Sequence, residues 1–485
     1  MKQKSLKLNT ILYIFKSLMS VIFPMLTFPY ASRVLGADGI GNVTFSYSIV
    51  SYFILIAGLG VISYAIREGA KYRENKEELS LFVNEVYTIN VIATFVSSLA
   101  FGASIFLFEK LRAYQGVLLI LGLAIPLTTV GVEWIFNIFE DYLYITIRSL
   151  VVQFISLIIL FIFVRQPEDV YGYAIFFLFS SVASNVFNLF YARKYCHFHL
   201  CFHKGLMKHI KPIMVIFAST VASTIYVSTD TTLLGIMHDD ATVGYYAAST
   251  KIYNMLRTTM DAIVSVSFAR LSFYLGNHMQ EQFDSLIRKL IHVTFLLVGP
   301  LTIGLFCLSE QAIHILNGAA YEPAIMSLRI LCLAFPISVM GGMLTRTLFL
   351  PYKHEKDILI ATIVGAVVNF GLNLYLIPKW EQDGAAMTTL IAEVVVLGIH
   401  LFNLNKFYKV RGIMKCFGQV LVASLMLAGI CWFIKQKVVS DIWCTVLAVL
   451  CSGVAYVLVL VVLKNELLME CIQKIKMRGK NISKE

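Results

Sequence analysis

Long apolar runs separated by short polar segments recur along all 485 residues of the chain. Each run is about 20 residues long, enough to cross a hydrocarbon core about 30 Å thick. Their length and their lack of strict apolar–polar alternation favour helices over barrel strands. The pattern predicts about 14 transmembrane helices, at residues 10–32, 43–66, 82–108, 116–138, 144–164, 171–192, 213–236, 244–269, 289–308, 325–350, 357–377, 385–405, 417–434 and 442–463.

The composition supports a membrane protein with almost nothing outside the bilayer. Hydrophobic residues make up 58% of the chain and charged residues 14%, whereas soluble domains have about 25% charged residues. The longest predicted loops, 309–324 and 193–212, are too short to hold a soluble domain. We therefore predict an all-α polytopic membrane protein.

The net charge of +11 is explained by where the Lys and Arg residues lie. Most are in alternate loops that share one side of the membrane, such as 67–76 and 193–211, and in the tail from residue 464. Positive loops favour the cytoplasmic side. The distribution predicts a multi-pass protein of the cytoplasmic cell membrane with both termini cytoplasmic, and it predicts no nucleic-acid partner.

A faint internal repeat with a period near 200 residues predicts two similar bundles. RVLGADGIG (33–41) corresponds to LLGIMHDDATVG (233–244), and GVEWIFNIFEDYLYI (131–145) corresponds to GGMLTRTLFLPYKHEKDILI (341–360). Equal numbers of spans separate each pair. We predict a six-helix bundle at 1–200, a second at 213–408, and two further transmembrane helices with a basic cytoplasmic tail at 409–485.

Cations inside the predicted spans indicate a polar cavity. Lys16, Lys251 and Arg329 lie within spans and have no acidic residue three or four positions away, so each is predicted to face a cavity. Arg257 and Asp261 are spaced i,i+4 and form either an intrahelical pair or part of the same cavity. Excess cations predict an anionic, phosphate-bearing cargo.

Acidic residues inside the spans are the candidates for coupling transport to an ion gradient. Asp230 and Glu393 are predicted to form the proton or sodium site. Polar stripes on the same helices have a second interpretation, because Ser, Thr and Asn also join packed helices by hydrogen bonds without any substrate.

Motifs for other chemistry are missing from the sequence. It contains no GxxxxGK[ST], GxSxG, HExxH or CxxC pattern, so we predict no ATP hydrolysis of the Walker type, no enzyme activity and no cofactor. The segment CHFHLCFHKG (196–205) could ligate zinc, but its spacing matches no standard site. We interpret it as an interfacial loop at the lipid headgroups and predict no metal.

The segments RVLGADGIG, NVTFSYSIVSYFILIAGLGVISYAIREGAKYREN (42–75) and GVEWIFNIFEDYLYITIRS (131–149) resemble polysaccharide flippases. These are the O-antigen or capsule repeat-unit exporters of the multidrug/oligosaccharidyl-lipid/polysaccharide exporter superfamily. The resemblance extends over essentially the whole chain, including the 6+6+2 arrangement of spans. It implies two bundles in a V shape that work by alternating access.

The resemblance also implies a cargo and its contacts. The cargo would be an undecaprenyl-diphosphate-linked oligosaccharide, moved from the inner to the outer leaflet for O-antigen, capsule or exopolysaccharide synthesis. Implied partners are membrane lipids, a polysaccharide polymerase and a chain-length regulator. By position and residue type, the cations for the diphosphate would be Lys16, Arg33, Lys251, Arg257 and Arg329, with Arg33 alternatively an anchor at the membrane interface.

Two other functions are open at this stage. A multidrug-type small-molecule or cation antiporter of the same superfamily would share the bundle plan, but that branch has 12 spans, and organic cations favour acidic and aromatic linings. A membrane enzyme such as a polymerase would need a larger outer loop than the sequence provides. The cationic spans favour the flippase.

Overall fold

The computed structural model describes residues 6–409, 412–470 and 473, with side chains from residue 18 onward except at 204, 266 and 269. Within these residues the chain is helical and contains no β-strand, which confirms the all-α prediction. The side chain of Lys16 and the predicted basic tail beyond residue 473 lie outside what is described.

The first of two compact units comprises the described residues up to Ala247 together with Phe370–Ala385. Its helices are α1 (Leu6–Gly58), α2 (Val61–Gly69), α3 (Lys76–Leu107), α4 (Glu109–Arg112), α5 (Gln115–Gly122), α6 (Ala124–Val130), α7 (Glu133–Ile138), α8 (Tyr142–Phe163), α9 (Val170–Ala192), α10 (Met207–Met237) and the start of α11 (Asp240–Gly276). α1 bends at Gly36, where φ is 69° and ψ is −176°. The bend lies in the predicted link between the first two spans.

The two repeated glycine segments contact each other within this first unit. A Cβ atom at Gly41 would lie 1.7 Å from the Asp240 carbonyl oxygen, and one at Gly244 would lie 2.1 Å from the Ala37 carbonyl oxygen. Gly41 and Gly244 end the two repeated segments, and Ala37 and Asp240 each lie four residues earlier. The two contacts are therefore equivalent by exchange of the segments, as a duplicated fold would produce.

The second unit comprises Ala248–Asn369 and the described residues from Ala386 onward. It contains the rest of α11, then α12 (Gln280–Cys307), α13 (Ser309–Asn317), α14 (Ala324–Leu344), α15 (Glu355–Leu404), α16 (Met414–Lys437) and α17 (Asp441–Val462). A π-helical turn, Thr345–Phe349, continues α14. α15 leaves helical geometry at Trp380 and Glu381, in the predicted link between two spans.

Among the described residues, eleven helices are long and apolar enough to cross a membrane. The bent α1 and α15 each cover two predicted spans, and α11 is not among the eleven. Large apolar side chains such as Phe95, Phe106 and Trp432 are exposed on these helices, as expected where a helix meets hydrocarbon instead of water. The chain is a multi-pass membrane protein, and the number of 14 spans stays a prediction.

The compact units do not follow the predicted bundle boundaries. They divide at Ala247, and α15 contributes residues to both. Compactness and internal duplication are different criteria. The division into bundles at 1–200 and 213–408 with an extra segment at 409–485 therefore stays a prediction.

Candidate functional site

One face of α11 carries exposed polar side chains. The helix begins after Asp239, whose carboxylate caps it by accepting a hydrogen bond from the Thr242 N–H at 2.9 Å. Further along, Asn254, Thr258 and Ser265 recur at helical spacing and are exposed. Because polar groups are costly in hydrocarbon, this face is suited to water or to a polar cargo and unsuited to lipid.

A predicted cargo cation and a predicted coupling acid form an ion pair in the second unit. The Arg257 guanidinium, on α11, lies 3.5 Å from Oε1 of the Glu393 carboxylate on α15. The Ser338 hydroxyl, on α14, donates a hydrogen bond to the same Oε1 atom at 2.9 Å. The Glu393 side chain is 6% exposed and that of Arg257 is 34% exposed. The acid is therefore held inside the unit while part of the cation stays accessible.

Asp261, four residues after Arg257, is paired with Arg346. Arg346 lies 3.1 Å from the Asp261 carboxylate, and it also donates a hydrogen bond to the backbone carbonyl oxygen of Asp261 at 3.1 Å. Arg346 lies in the π-helical turn after α14. Arg257 and Asp261 therefore each pair with a charged side chain from another helical segment.

Asp230, the other predicted coupling acid, is buried in the first unit. Its carboxylate accepts hydrogen bonds from the Tyr246 hydroxyl at 2.7 Å and from the Asn373 amide at 2.6 Å. All three side chains are buried. A carboxylate with two donors is stabilised in its charged form, so this arrangement can hold a negative charge away from bulk water.

The remaining predicted cations lie in different surroundings. Lys251 lies on α11 and is half-buried, and Arg33 is exposed three residues before the bend at Gly36. The Arg329 Nε donates to the Ser309 hydroxyl at 2.9 Å, which places it beside the first residue of α13. Arg329 is therefore near a helix end. The side chain of Lys16 is outside the description.

Sequence reasoning missed Arg148, a buried cation of α8. Its guanidinium is 3.0 Å from the Glu133 carboxylate, donates to the Asn188 side chain, and lies over the Tyr144 ring at 5.7 Å. The signal was available, because Arg148 lies inside a predicted span and Glu133 lies inside the span before it. These contacts join α7, α8 and α9, and a role in packing accounts for all of them.

The cysteine- and histidine-containing segment 196–205 packs on α3. The His199 N–H donates to Asn84 and the Cys201 N–H donates to Thr88, each at 3.0 Å. In the part of the chain that the structure describes, no group of three His, Cys, Asp or Glu side chains could hold a metal ion. The backbone of this segment is thus fixed by polar side chains of α3.

Close to this segment, the buried Glu85 carboxylate has three partners that can carry positive charge, one of which is His203 at 3.4 Å. Lys208 lies 2.8 Å away and His209 lies 2.7 Å away, and the other His209 ring nitrogen is 2.6 Å from the Tyr64 hydroxyl. Glu85 is 1% exposed. Its carboxylate is therefore paired inside the first unit.

A family model described as "Polysaccharide biosynthesis protein" matches residues 6–274, more than half of the chain. The chain belongs to this family. Membership confirms the resemblance to polysaccharide exporters that the sequence predicted.

Two relatives of this chain have names that describe transport. "Putative O-antigen transporter" from Escherichia coli (strain K12) is 22% identical over 387 residues, which cover 78% of this chain and 92% of the relative. "Probable low-salt glycan biosynthesis flippase Agl15" from Haloferax volcanii is 26% identical over 223 residues. That match spans 45% of this chain and 46% of the relative, less than half of either. Neither name describes an enzyme.

Solved structures confirm the fold. The lipid II flippase MurJ, in its inward closed conformation, is similar with a TM-score of 0.73 and 16% identity over 96% of this chain and 99% of that one. An inward-facing multidrug resistance MATE family transporter of the MOP superfamily gives a TM-score of 0.62 and 14% identity over 82% of this chain and 99% of that one. The protein thus has the exporter-superfamily fold predicted from its sequence.

Proposed function

We propose that this protein is a flippase for undecaprenyl-diphosphate-linked oligosaccharide repeat units in the cytoplasmic membrane. It moves them from the inner to the outer leaflet for synthesis of O-antigen, capsule or another exopolysaccharide. Membership of the polysaccharide biosynthesis family and the names of two relatives support the cargo class. A polysaccharide polymerase and a chain-length regulator would use the product at the outer leaflet.

The observation that carries this proposal is the exposed polar face of α11 with its two cations. Asn254 and Thr258 are exposed, and Lys251 and Arg257 are partly exposed. Guanidinium and ammonium groups bind phosphate oxygens by charge-assisted hydrogen bonds. The diphosphate would bind to these cations, while the polar side chains of the same face would contact sugar hydroxyls. Lys16, Arg33 and Arg329 are the further candidate cations.

The pairing of Arg257 with Glu393 suggests how transport is coupled to an ion gradient. A diphosphate that binds Arg257 competes with Glu393 for the same guanidinium. Once released, the buried Glu393 carboxylate needs another positive partner, because an unpaired buried charge is costly. A proton or a sodium ion would supply it. Asp230, with its two neutral donors, is the candidate for a second such site.

The same geometry argues against an antiporter for organic cations. Such a site needs accessible acidic or aromatic groups, and Glu393 is 6% exposed and paired with a cation. Likeness to the MATE transporter concerns the fold and leaves the cargo unspecified. Alternating access between cytoplasmic and outer openings, with both termini cytoplasmic, completes the proposal.

The direct test is deletion of the gene in its native host, followed by analysis of lipid-linked sugars. We expect lipid-linked repeat units to accumulate on the cytoplasmic leaflet and surface polysaccharide to be lost. Complementation with wild-type protein should restore export, and so should Arg193→Ala, which removes an exposed arginine outside the proposed site. Complementation with Arg257→Ala should not. Normal surface polysaccharide after deletion, in a host without a second flippase gene, would refute the proposal.

A further inference from the structure

A polar hollow lies in the second unit, and none of the residues that line it belongs to α11. It is formed by the first turns of α12, by Tyr352 just after the π-helical turn, and by residues 407–409 just after α15. Its volume is about 530 Å³, within the range of roughly 300–1,000 Å³ that ligand sites occupy. The loops that form it belong to the side predicted to be cytoplasmic.

Aromatic rings form one wall of this hollow. The ring of Tyr352 lies 5.4 Å from that of Phe407 and 6.2 Å from that of Tyr408, and Phe283 packs edge-on behind Tyr352 at 5.6 Å. These rings belong to a buried cluster that also includes Ile287. A wall fixed in this way offers flat apolar faces, on which the C–H groups of a sugar ring pack favourably against the negative ring face.

Cations line the open part of the hollow. Arg288 and Lys409 are exposed, and within the described residues neither forms an ion pair. The one carboxylate of the lining, Asp284, already accepts hydrogen bonds from the Tyr408 hydroxyl at 2.8 Å and from the Gln280 amide at 3.0 Å. The positive charges are thus available to an anion.

Tyr408 contributes a neutral donor to the same wall. Burial raises the pKa of this phenol, and its hydrogen bond to Asp284 raises it further. The hydroxyl therefore keeps its proton at physiological pH, and Asp284 keeps its hydrogen-bond donor.

The hollow next to this one has more carboxylates in its lining. It shares Asp284 and Arg288, and it is also lined by Lys289, by His292 and by three further carboxylates, those of Glu281, Glu466 and Glu470. Lys289 is paired with Glu470 at 3.5 Å. Those carboxylates would repel a phosphate. The aromatic wall and Lys409 therefore distinguish the first hollow as the one suited to a phosphorylated sugar.

We infer that the hollow beside Tyr352, Arg288 and Lys409 is a loading site that binds the sugar-phosphate head of the cargo at the cytoplasmic leaflet before transport. The inference rests on the proposed function. The ligand class is a phosphate group joined to a sugar ring. The cations bind the phosphate and the aromatic wall binds the sugar.

The test measures binding of glucose 1-phosphate to the full-length protein in neutral-lipid nanodiscs by calorimetry. We expect Arg288→Ala/Lys409→Ala to weaken binding by about tenfold or more. Arg193→Ala/Lys356→Ala is the matched control, because it removes an exposed Arg and an exposed Lys outside the hollow, and it should leave binding unchanged. Thermal unfolding of both variants should match the wild type.

Three results would overturn the inference: equal binding by Arg288→Ala/Lys409→Ala, displacement of glucose 1-phosphate by an equal concentration of inorganic phosphate, or loss of binding when phosphatidylglycerol is added to the nanodiscs. Displacement by inorganic phosphate would indicate a simple anion site. Loss of binding with phosphatidylglycerol would indicate a site for lipid headgroups. The protein could bind sugar phosphate through these cations and yet export no lipid-linked glycan. That result would contradict the proposed function but not the assignment of the binding site.

Discussion

The ion pairs of Arg257 and of Asp261 each join α11 to a different helical segment. Glu393 lies 136 positions from Arg257 in the sequence, and Arg346 lies 85 positions from Asp261. Helical spacing in the sequence indicates which residues share a face of one helix. It does not indicate which helix faces them. The candidate residues could therefore be chosen from sequence, whereas their pairing required the structure.

At the residue scale, we predict that Glu393 depends on Arg257 for stability. Arg257→Ala leaves a buried carboxylate with the Ser338 hydroxyl alone, at an expected cost of roughly 1–3 kcal/mol in the free energy of unfolding. Adding Glu393→Gln removes the charge and should recover most of that loss, without restoring export. Chemical denaturation in detergent measures the first effect and cell-surface polysaccharide the second. A double variant as unstable as Arg257→Ala would show that the unpaired carboxylate is not the cause.

The helices themselves follow the apolar pattern of the sequence closely. Both interior bends, at Gly36 and at Trp380–Glu381, lie in predicted links between spans. The predicted span 116–138 is instead three short helices, with Val132 in the left-handed region at φ 32°. That apolar run contains one charge, Glu133, directly after Val132. The length of the run predicts a membrane crossing, but it does not indicate whether one unbroken helix or several short helices make that crossing.

At the scale of elements, the close contact between α1 and α11 should tolerate no side chain at Gly41. A Cβ atom there would lie 1.7 Å from the Asp240 carbonyl oxygen, so Gly41→Ala must separate the two helices and should lower the melting temperature or abolish folding. Gly102, on α3, is the control, because an added Cβ meets nothing within 4 Å. Gly102→Ala should be neutral or stabilise by about 0.5–1 kcal/mol. Equal melting temperatures for both variants would contradict the close packing.

A second prediction for the elements concerns the ion pair that joins α13 to α16. Lys435 donates to the Glu310 carboxylate at 3.0 Å, and this hydrogen bond, with the charge of Lys435, lowers the pKa of Glu310. A lowered folded-state pKa gives stability that is present above the unfolded value of about 4.3 and lost as the pH falls through the folded value. Because the Glu310 side chain is 42% exposed, the gain should be about 0.5–1 kcal/mol.

Melting temperatures at pH 7 and near pH 3 measure this ion pair. Lys435→Met should lower the melting temperature at pH 7 and have little effect at the lower pH. Lys437→Met, two residues further along and exposed, should have little effect at either pH. A similar loss at both pH values would mean that packing of the Lys435 chain, and not its charge, joins the two helices.

For the whole molecule, the sequence was sufficient to predict the membrane class, the helical fold and the family. These depend on long apolar runs and on sequence motifs. The family is recognisable even though the chain is only 22% identical to the Escherichia coli relative. The cargo depends on a small number of charges, and their arrangement is not encoded in any short motif. The central claim is accordingly functional: cations on an exposed polar face of α11 carry a diphosphate-linked glycan across the bilayer.

Transfer of a labelled undecaprenyl-diphosphate-linked oligosaccharide across proteoliposomes tests that claim most directly. The amount of glycan that a membrane-impermeant glycosidase can reach should rise with time for the wild-type protein under an ion gradient. With Lys251→Ala or Arg257→Ala, inserted at equal density, it should stay at the level of protein-free liposomes. Transfer by both variants at the wild-type rate, or none by the wild type, would contradict the account.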